Sequence, residues 1–226
     1  MMTALIGVRG GSKRVKNKNS RSFADSNLLK IKVEQLLSCR GIDRVLVNSE
    51  DELLLSIAAK AGADTIVRDP AFATDSVSTS DYYKNIAENC DTDYILSATV
   101  TTPLVRKESY EEGVRRFYEN LESGGVYDSV TSCSQIKEFL YKDGKPMNYD
   151  PAHQVRSQDL PVIYALNYGY SIIEKKRMIE YKNIVGKTPL FIKLSRIESV
   201  DIDDLEDFVI AETLYKSLES MAAVQD

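Results

Sequence analysis

Short apolar segments alternate with amphipathic helical segments over residues 1–135, and this alternation restricts the fold more than any other feature of the sequence. Apolar runs of strand length occur at 3–8, 44–47, 65–67, 94–96 and 129–133. Helical spacing of apolar residues occurs between them, and strands separated by helices are typical of parallel sheets. The pattern therefore predicts an α/β fold, a doubly wound and mostly parallel sheet flanked by helices.

The predicted helices follow from their apolar faces and their boundary residues. Asp25 or Ser26 is expected to cap the first helix, and the segment Ser78 to Ser80 to cap the third. Helices are predicted around residues 28–37, 50–61, 82–87, 109–121, 176–181 and 205–222, and later strands at 163–166, 168–173 and 190–194.

Residues 139–161 break this regularity. The segment is polar, contains the turn pairs Asp143-Gly144 and Asp150-Pro151, and lacks a helical period. We expect one domain over residues 1–226, from which residues 138–172 project as a β-rich dimerisation arm. Tyrosines in and after the segment suit a subunit contact, although tyrosine is also common in strands. These tyrosines are Tyr141, Tyr149, Tyr164, Tyr168 and Tyr170.

Composition excludes several classes of function. The chain has 34 acidic and 29 basic residues, whereas a nucleic-acid-binding protein is expected to carry net positive charge. No run reaches the ~18 apolar residues of a membrane span, and no signal peptide is recognisable. With His153 as the only histidine and three dispersed cysteines, the sequence offers neither a zinc-site spacing nor a histidine-dependent triad. We expect a cytoplasmic protein with reduced thiols that binds neither nucleic acid nor membrane.

The segment 9–19, R-G-G-S-K-R-V-K-N-K-N, directly follows the first predicted strand and contains five cations and no acid. Gly10 and Gly11 allow unusual backbone conformations and a close approach to a ligand, while the cations supply charge-assisted donors. Ligands of open α/β sheets bind beyond the carboxyl ends of the strands, so this basic loop predicts a polyphosphate site. It has neither the G-x-x-x-x-G-K-[ST] nor the G-x-G-x-x-G spacing. The alternative is an ordinary solvated basic surface.

A second charged segment, V-D-I-D-D at 200–204, precedes the closing helix. Alternation along an extended chain places Asp201 and Asp203 on one side and Ile202 on the other, so two carboxylates can converge. Paired carboxylates suit a hard divalent cation such as Mg²⁺, with the phosphates of a nucleotide completing its shell. The alternative is that Asp203 or Asp204 caps the closing helix, and different residues can serve both purposes.

Three further segments complete a series of motifs. Arg68 follows the third predicted strand, T-T-P-L occupies 101–104, and Q-D-L-P occupies 158–161 just after Arg156, where a plain polar turn is the alternative. Together with the basic loop and D-I-D at 201–203, and in the same order, these motifs resemble the acylneuraminate (CMP-sialic acid) cytidylyltransferase family. The resemblance covers essentially the whole chain.

The resemblance implies a Rossmann-like nucleotidyltransferase fold with a projecting dimerisation element, and hence a homodimer. It implies transfer of CMP from CTP to the anomeric hydroxyl of a 2-keto sugar acid, with release of pyrophosphate and a requirement for Mg²⁺. Such chemistry depends mainly on positioning and on cations that stabilise phosphate charge.

The resemblance also assigns roles to individual residues. Arg9, Lys18 and Asp203 would carry catalysis, and Asp201 and Asp203 would bind the metal. Nucleotide contacts would come from Arg9, Gly10, Gly11, Ser12, Lys13, Lys18, Asn19 and Arg68, with Arg68 near the cytosine. Acceptor contacts would come from Thr99, Thr101, Thr102, Arg156, Gln158 and Asp159.

Departures from the family pattern concentrate on the acceptor side. Thr99 stands where the family's Q-P-T-S-P-L has glutamine, and Ser157 where R-R-Q-D-L-P has its second arginine. The family's Asn-Gly has become Asn167-Tyr168-Gly169, and its I-P-A-R is Ile6-Gly7-Val8-Arg9. Two alternatives to CMP transfer onto a 2-keto sugar acid therefore stay open. One is a nucleotide-binding homologue without transfer activity, and the other is a nucleotidyltransferase for a different sugar or sugar-phosphate acceptor.

Overall fold

The computed structural model describes residues 1–223 and confirms the predicted α/β class. A seven-stranded sheet forms its centre, with two small two-stranded sheets outside it. The strands are β1 (Met2–Gly7), β2 (Ser22–Phe23), β3 (Ser26–Asn27), β4 (Arg44–Ser49), β5 (Asp64–Val67), β6 (Tyr94–Ala98), β7 (Ser129–Ile136), β8 (Tyr141–Lys142), β9 (Lys145–Pro146), β10 (Ile163–Glu174) and β11 (Pro189–Lys193). The helices are α1 (Leu28–Leu37), α2 (Glu52–Lys60), α3 (Thr79–Glu88), α4 (Lys107–Glu122), α5 (Lys175–Tyr181) and α6 (Leu205–Ala223).

Side-chain caps define the starts of three helices. Asn27 accepts the Lys30 N–H at 2.9 Å and begins α1, so the cap lies just beyond the predicted Asp25 or Ser26. Asp51 begins α2, and Ser78 begins α3 as predicted. A side-chain oxygen at these positions satisfies an amide N–H that has no partner within the helix.

The central sheet is mostly parallel, with one antiparallel strand inserted. Its order is β11-β7-β10-β6-β1-β4-β5. Strand β1 runs parallel to β4 and β6, β4 to β5, and β7 to β11, whereas β10 is antiparallel to both β6 and β7. The carboxyl ends of all strands except β10 therefore lie at one edge of the sheet, where ligands of such folds collect.

Two apolar clusters, one on each face of the sheet, hold the helices in place. Ala4 and Ile6 of β1 belong to the larger cluster and Leu5 to the smaller, as alternation along a strand requires. Helices α1, α2, α4 and α6 pack into the larger cluster, and α3 and α5 into the smaller. Cys39, Cys90 and Cys133 are free and buried, which is the environment of small apolar core residues.

Strands β7 and β10 continue past the end of β6 and flank the irregular segment 137–162. Strand β10 pairs with β6 only from Tyr170 onward, while residues 163–166 pair with β7. Residues 170–172, the end of the predicted arm, instead lie in the sheet between β6 and β7, because this half of β10 is apolar and buried. Tyr170 is buried beside Tyr110 and is not available for a subunit contact.

Two local features differ from the expected elements. Strands β2 and β3 form a hairpin too short for hydrophobic periodicity to reveal. The two strands predicted at 163–166 and 168–173 are one strand with a register shift between Leu166 and Ser171.

Within the described residues, no helix is both long and apolar enough to cross a membrane. Residues 224–226 of the expected domain lie outside the described part of the chain.

Candidate active site

The basic loop follows β1 at the carboxyl edge of the sheet, and both of its glycines are structurally required. The Gly10 N–H donates to Glu50 Oε1 at 2.8 Å, and an added Cβ at Gly10 would collide with the Asp51 carboxylate. Gly11 has φ 67°, a conformation that favours glycine. Val15 anchors the loop in the core. Both glycines are thus explained by the loop's own conformation and packing, and their contact with a ligand stays a prediction.

Acidic side chains pair with three of the loop's five cations in this structure. Asp75, in the loop between β5 and α3, accepts from Arg9 Nη1 at 2.6 Å and from Lys13 Nζ at 2.7 Å. These hydrogen bonds, that of Lys13 first, lower the pKa of the Asp75 carboxyl to about 2. Arg14 pairs with Asp203 Oδ1 at 3.0 Å. A phosphate that used Arg9 and Lys13 would have to replace the Asp75 carboxylate.

Three distant segments meet beside this loop. Lys18 Nζ donates to the Ile202 carbonyl at 2.6 Å, and the Ile202 N–H donates to the Thr101 carbonyl at 2.9 Å. Burial lowers the pKa of Lys18, against the opposing charges of Asp201 and Asp203. The structure therefore brings the basic loop, the turn after β6 and the D-I-D segment together, as the motifs predict.

The D-I-D segment presents two carboxylates with different environments. Ile202 is buried, Asp201 is half-buried and Asp203 is exposed, in agreement with the predicted alternation. Burial raises the pKa of Asp201, although a hydrogen bond from Thr101 and the charge of Lys18 oppose that shift. Asp201 Oδ1 is buried without a hydrogen-bond partner among the described residues. A buried carboxylate oxygen without a hydrogen-bond partner is the kind of ligand atom that a hard cation binds, so this pair of carboxylates fits Mg²⁺.

The protein by itself supplies few ligands for such a cation. Among the described residues, no group of three histidine, cysteine, aspartate or glutamate side chains is arranged to hold a metal. Mg²⁺ is commonly held by one or two carboxylates together with waters and substrate phosphates. The pair Asp201 and Asp203 therefore suits a metal that binds with a nucleotide.

Glu198 holds the turn that leads into the D-I-D segment. Its buried carboxylate accepts from Ser109 Oγ at 2.5 Å, from Ser195 Oγ at 2.7 Å and from the Arg106 N–H at 3.2 Å. Arg106 precedes α4 and makes no side-chain cap of its own, so Glu198 takes that place. The segment is thereby fixed to the start of α4.

Two adjoining clefts lie at this edge of the sheet. The first, which we call the phosphate cleft, has a volume of about 450 Å³ and is lined by Gly7, Val8, Arg9, Ser12, Lys13, Arg14, Val15, Lys18, Asn19, Thr99, Val100, Thr101 and Asp203. The second, the base cleft, has a volume of about 410 Å³ and is lined by Gly7, Val8, Arg9, Arg68, Phe72, Ala73, Thr74, Asp75, Val77, Thr79 and Tyr82. They share three residues, so a nucleotide can extend from one into the other.

Arg68 lines the base cleft but is committed to the protein. It is 3% exposed and donates to Asn48 Oδ1 at 2.7 Å and to the Val8 carbonyl at 2.9 Å. Its guanidinium also lies over the Tyr82 ring, 4.9 Å from the centroid. Arg68 therefore borders this cleft, and its described contacts join β4 to the start of the basic loop. Its place near the cytosine stays a prediction.

Gly7 and Tyr82 explain a departure from the family motif. An added Cβ at Gly7 would overlap the Tyr82 phenol oxygen. Gly7, at the second position of I-G-V-R, thus makes room for the tyrosine that forms one wall of the base cleft. The next residue, Val8, donates its N–H to the Asn48 carbonyl at 3.1 Å, which holds the chain in place just before Arg9.

The predicted acceptor residues divide into two groups. Thr99 and Thr101 line the phosphate cleft, whereas Thr102 is fully buried and its hydroxyl donates to the Thr99 carbonyl at 3.2 Å. Arg156 and Asp159 pair with each other, with Arg156 Nε and Asp159 Oδ2 2.8 Å apart, and with Gln158 they are exposed. These last three side chains are not among the described residues that line either cleft, so one chain alone does not bring them to the site.

Lys32 supports the turn that carries the threonines. Its buried ammonium group donates to the Thr102 carbonyl at 2.9 Å and contacts the Tyr110 hydroxyl at 2.5 Å. Burial lowers the pKa of Lys32 from 10.5 to about 7, partly opposed by Cys39. Burial also raises the pKa of Cys39 to about 11 and that of Tyr110 well above its ordinary value, so both stay neutral while Lys32 titrates.

We therefore expect the stability difference between the wild type and Lys32→Met to depend on pH. Because the Lys32 pKa is lower in the folded state, the unfolded chain binds more protons between about pH 7 and pH 10, and stability rises with pH there. In this pH range, the free energy of unfolding of the wild type should rise relative to that of the variant by up to about 1.4 kcal/mol per pH unit. Urea unfolding of both proteins at pH 6, 8 and 9.5 measures this gain, and a constant difference would contradict the lowered pKa.

The overall fold is that of solved nucleotidyltransferases. A CMP:2-keto-3-deoxy-manno-octonic acid synthetase complexed with CTP matches with a TM-score of 0.70 at 12% identity, over 96% of this chain and 98% of that one. A 4-diphosphocytidyl-2C-methyl-D-erythritol synthase from Anaerococcus prevotii matches with a TM-score of 0.67 at 11% identity, over 95% and 96% of the two chains. At such low identity the likeness establishes the fold alone.

The sequence assigns the chain to a family within that fold. The family model described as Cytidylyltransferase matches residues 3–214, so the chain belongs to the cytidylyltransferase family. It is 28% identical to an N-acylneuraminate cytidylyltransferase of Escherichia coli over 93% of this chain, and spans 51% of that protein's length. It is 28% identical to a pseudaminic acid cytidylyltransferase of Campylobacter jejuni, over 94% of this chain and 95% of that protein.

Sequence reasoning missed several residues of this site. Glu50 and Asp75 were not identified, although both follow strands that end at the same sheet edge as the basic loop. Lys32 carried a signal, because helical spacing puts it on the apolar face of α1 beside Leu28 and Leu36. Glu198 carried none, since its partners on α4 are far away in the sequence.

Proposed function

We propose that this chain transfers CMP from CTP to the anomeric hydroxyl of a 2-keto sugar acid and releases pyrophosphate. The observation that carries the proposal is the meeting of the basic loop with the Asp201/Asp203 segment through Lys18, beside two adjoining clefts. Membership of the cytidylyltransferase family supports cytidine as the nucleoside. Relatives named for N-acylneuraminate and pseudaminic acid support a sugar acid as the acceptor.

The proposed reaction is a substitution at the α-phosphorus. The anomeric oxygen forms a bond to that phosphorus, the bond to the bridging oxygen of the β-phosphate breaks, and pyrophosphate leaves with the electron pair. Arg9, Lys13 and Lys18 hold the triphosphate and stabilise the charge that develops on the leaving group. Asp203 is the exposed carboxylate of the pair and is suited to accept the proton of the attacking hydroxyl.

Mg²⁺ is the proposed metal, held by Asp201 and Asp203. When bound, it would neutralise phosphate charge and align the triphosphate. Support comes from the unpaired buried Oδ1 of Asp201 and from the nearby second carboxylate. Removal of Mg²⁺ with a chelator is expected to stop pyrophosphate release, and addition of excess Mg²⁺ to restore it.

A pyrophosphate-release screen tests the proposed function. CTP, UTP, ATP and GTP are each combined with N-acylneuraminate, pseudaminic acid, 2-keto-3-deoxy-octonic acid and a set of sugar phosphates. We expect release only from CTP with a 2-keto sugar acid. Release with a sugar phosphate instead would support the alternative acceptor class. Tight CTP binding without release from any pair would support the homologue that lacks transfer activity.

Asp75 is expected to compete with the triphosphate for the basic loop. Replacing it with asparagine leaves Arg9 and Lys13 without an anionic partner, so Asp75→Asn should bind inorganic tripolyphosphate about threefold to tenfold more tightly at low ionic strength. Calorimetry measures the dissociation constants. Asp69→Asn is the matched control, because Asp69 caps the turn of the same loop and asparagine caps equally well. Weaker binding by Asp75→Asn would contradict competition.

We also propose a homodimer formed through the arm. Several apolar side chains in and beside segment 137–162 are exposed, namely Tyr141, Met147, Val155, Val162 and Tyr164. Light scattering is expected to give about twice the chain mass of 25.4 kDa, and a Met147→Lys, Tyr164→Lys double variant about that mass. A monomeric wild type at all concentrations would refute the dimer.

CTP as substrate and three free cysteines suit the proposed cytoplasmic location.

A further inference from the structure

Tyr168 adopts a left-handed backbone conformation within β10, with φ 51°. Crowding at Cβ makes this conformation unfavourable for a bulky residue, whereas glycine adopts it without that cost. The buried side chain of Asn167 helps to maintain it, accepting from Ser132 Oγ at 2.6 Å and donating to Ser199 Oγ at 3.1 Å. The chain therefore carries a large aromatic side chain where the backbone favours glycine.

The residue after Tyr168 is equally constrained. An added Cβ at Gly169 would lie 2.9 Å from Leu194 Cδ1 and 3.0 Å from Ser132 Oγ. The pairing of β10 with β7 shifts in this segment, from Leu166 opposite Cys133 to Ser171 opposite Thr131. Such bulges re-aim a side chain, and they are common beside active sites.

Tyr168 lies at the edge of the phosphate cleft. Its carbonyl accepts from Thr99 Oγ1 at 3.0 Å, and Thr99 lines the cleft. The residue remains 45% exposed. Its phenol also lies near Tyr83 of α3, whose pKa is raised to about 12 chiefly by burial, with smaller effects of Tyr82 and Tyr168. The Tyr168 backbone is thus bonded to a residue that lines the cleft, and much of its side chain, which lies toward α3, is open to a ligand.

We propose that Tyr168 determines acceptor recognition by packing its ring against C–H groups of the sugar acid. The inference rests on the proposed function, in which the basic loop binds the triphosphate, and on the acceptor contact that the family resemblance implies for Thr99. A rigidly held aromatic ring with a polar tip offers both the apolar surface and the hydroxyl partner that a sugar requires. The unfavourable backbone at Tyr168 is then maintained for ligand binding, as strained residues at functional sites often are.

Direct binding measurements test this role without relying on turnover. Sugar acids are titrated into enzyme saturated with CDP, and CDP affinity and thermal midpoint are measured separately. Tyr168→Gly is expected to weaken sugar-acid binding at least about tenfold, to leave CDP affinity within about twofold, and not to lower the thermal midpoint. Tyr168→Phe, which keeps the ring, should bind the sugar acid within about threefold of the wild type.

Asp143→Gly is the matched control. Asp143 also has φ 51°, and it lies in the turn between β8 and β9. This variant relieves the same backbone conformation and should leave both ligand affinities unchanged.

Four results would overturn the inference. The first is unchanged sugar-acid affinity in Tyr168→Gly, and the second is an equal loss of sugar-acid and CDP affinity in that variant together with a lower thermal midpoint. The third is a Tyr168→Phe variant that binds the sugar acid as weakly as Tyr168→Gly does, and the fourth is a wild type that does not bind the sugar acid. Sugar-acid binding without pyrophosphate release from CTP would overturn the proposed function alone, and the Tyr168 comparison would still stand.

Discussion

Asp203→Ala is expected to reduce pyrophosphate release from CTP about a thousandfold or more, which is the upper range for loss of one electrostatic group in an active site. The variant removes one of two carboxylates proposed for Mg²⁺ and the proposed proton acceptor. CTP affinity should change less than about tenfold, because the basic loop and base cleft are intact and Arg14 is released from its pair with Asp203. Initial rates at saturating Mg²⁺, with CTP binding measured separately, give both quantities.

Asp204→Ala is the control for that experiment. Asp204 is the next residue, but its carboxylate accepts from the Glu206 and Asp207 N–H groups and so caps α6. Its loss should cost about 1 kcal/mol of stability and leave turnover nearly unchanged. Undiminished turnover in Asp203→Ala would refute the metal role, and equal losses in both variants would indicate that the segment has merely been disturbed.

Arg68→Met is expected to lower the free energy of unfolding more than Asp204→Ala or Arg40→Met. The change removes donors to Asn48 and Val8 and an ion pair with Glu50, and leaves these acceptors without their buried partner. Breaking one side of such a buried charged network costs about 3–5 kcal/mol. CTP binding should weaken at least about tenfold as well, because Arg68 joins the base cleft to the start of the basic loop. Urea unfolding and CTP calorimetry measure the two effects.

An exposed arginine provides the comparison. The side chain of Arg40 is 88% exposed and pairs with Glu111, so Arg40→Met should cost less than about 1 kcal/mol and leave CTP binding unchanged. Similar stabilities for Arg68→Met and Arg40→Met would contradict the structural role assigned to Arg68.

Most of the fold was predictable because its signals are local. Apolar runs indicate β1 and β4, and Ser78 indicates the start of α3. The single β10 was not predictable, because Asn167-Tyr168-Gly169 has the composition of a turn. Asn167 accepts a hydrogen bond from Ser132 and donates one to Ser199, both more than 30 residues away, and these bonds keep it within the strand. Its antiparallel direction depends on the long segment 137–162, which carries no periodic signal.

The site was predictable where its chemistry is concentrated in short motifs. The basic loop and the D-I-D segment are contiguous, and the structure brings them together through Lys18. Asp75 and Lys32 act on side chains or carbonyls more than 60 residues away, so no short motif contains them. Arg156 was assigned by resemblance alone, and within a single chain it lies off both clefts among the described residues. Its proposed acceptor role stays a prediction.

Phosphorus NMR can follow the complete proposed transfer of CMP in one sample. The enzyme, CTP, Mg²⁺ and a 2-keto sugar acid are observed together over time. We expect the triphosphate signals to be replaced by those of pyrophosphate and of one phosphodiester, in which the sugar's anomeric oxygen is joined to CMP. Free CMP with an unmodified sugar acid, or CTP that persists with every 2-keto sugar acid, would contradict the proposed transfer.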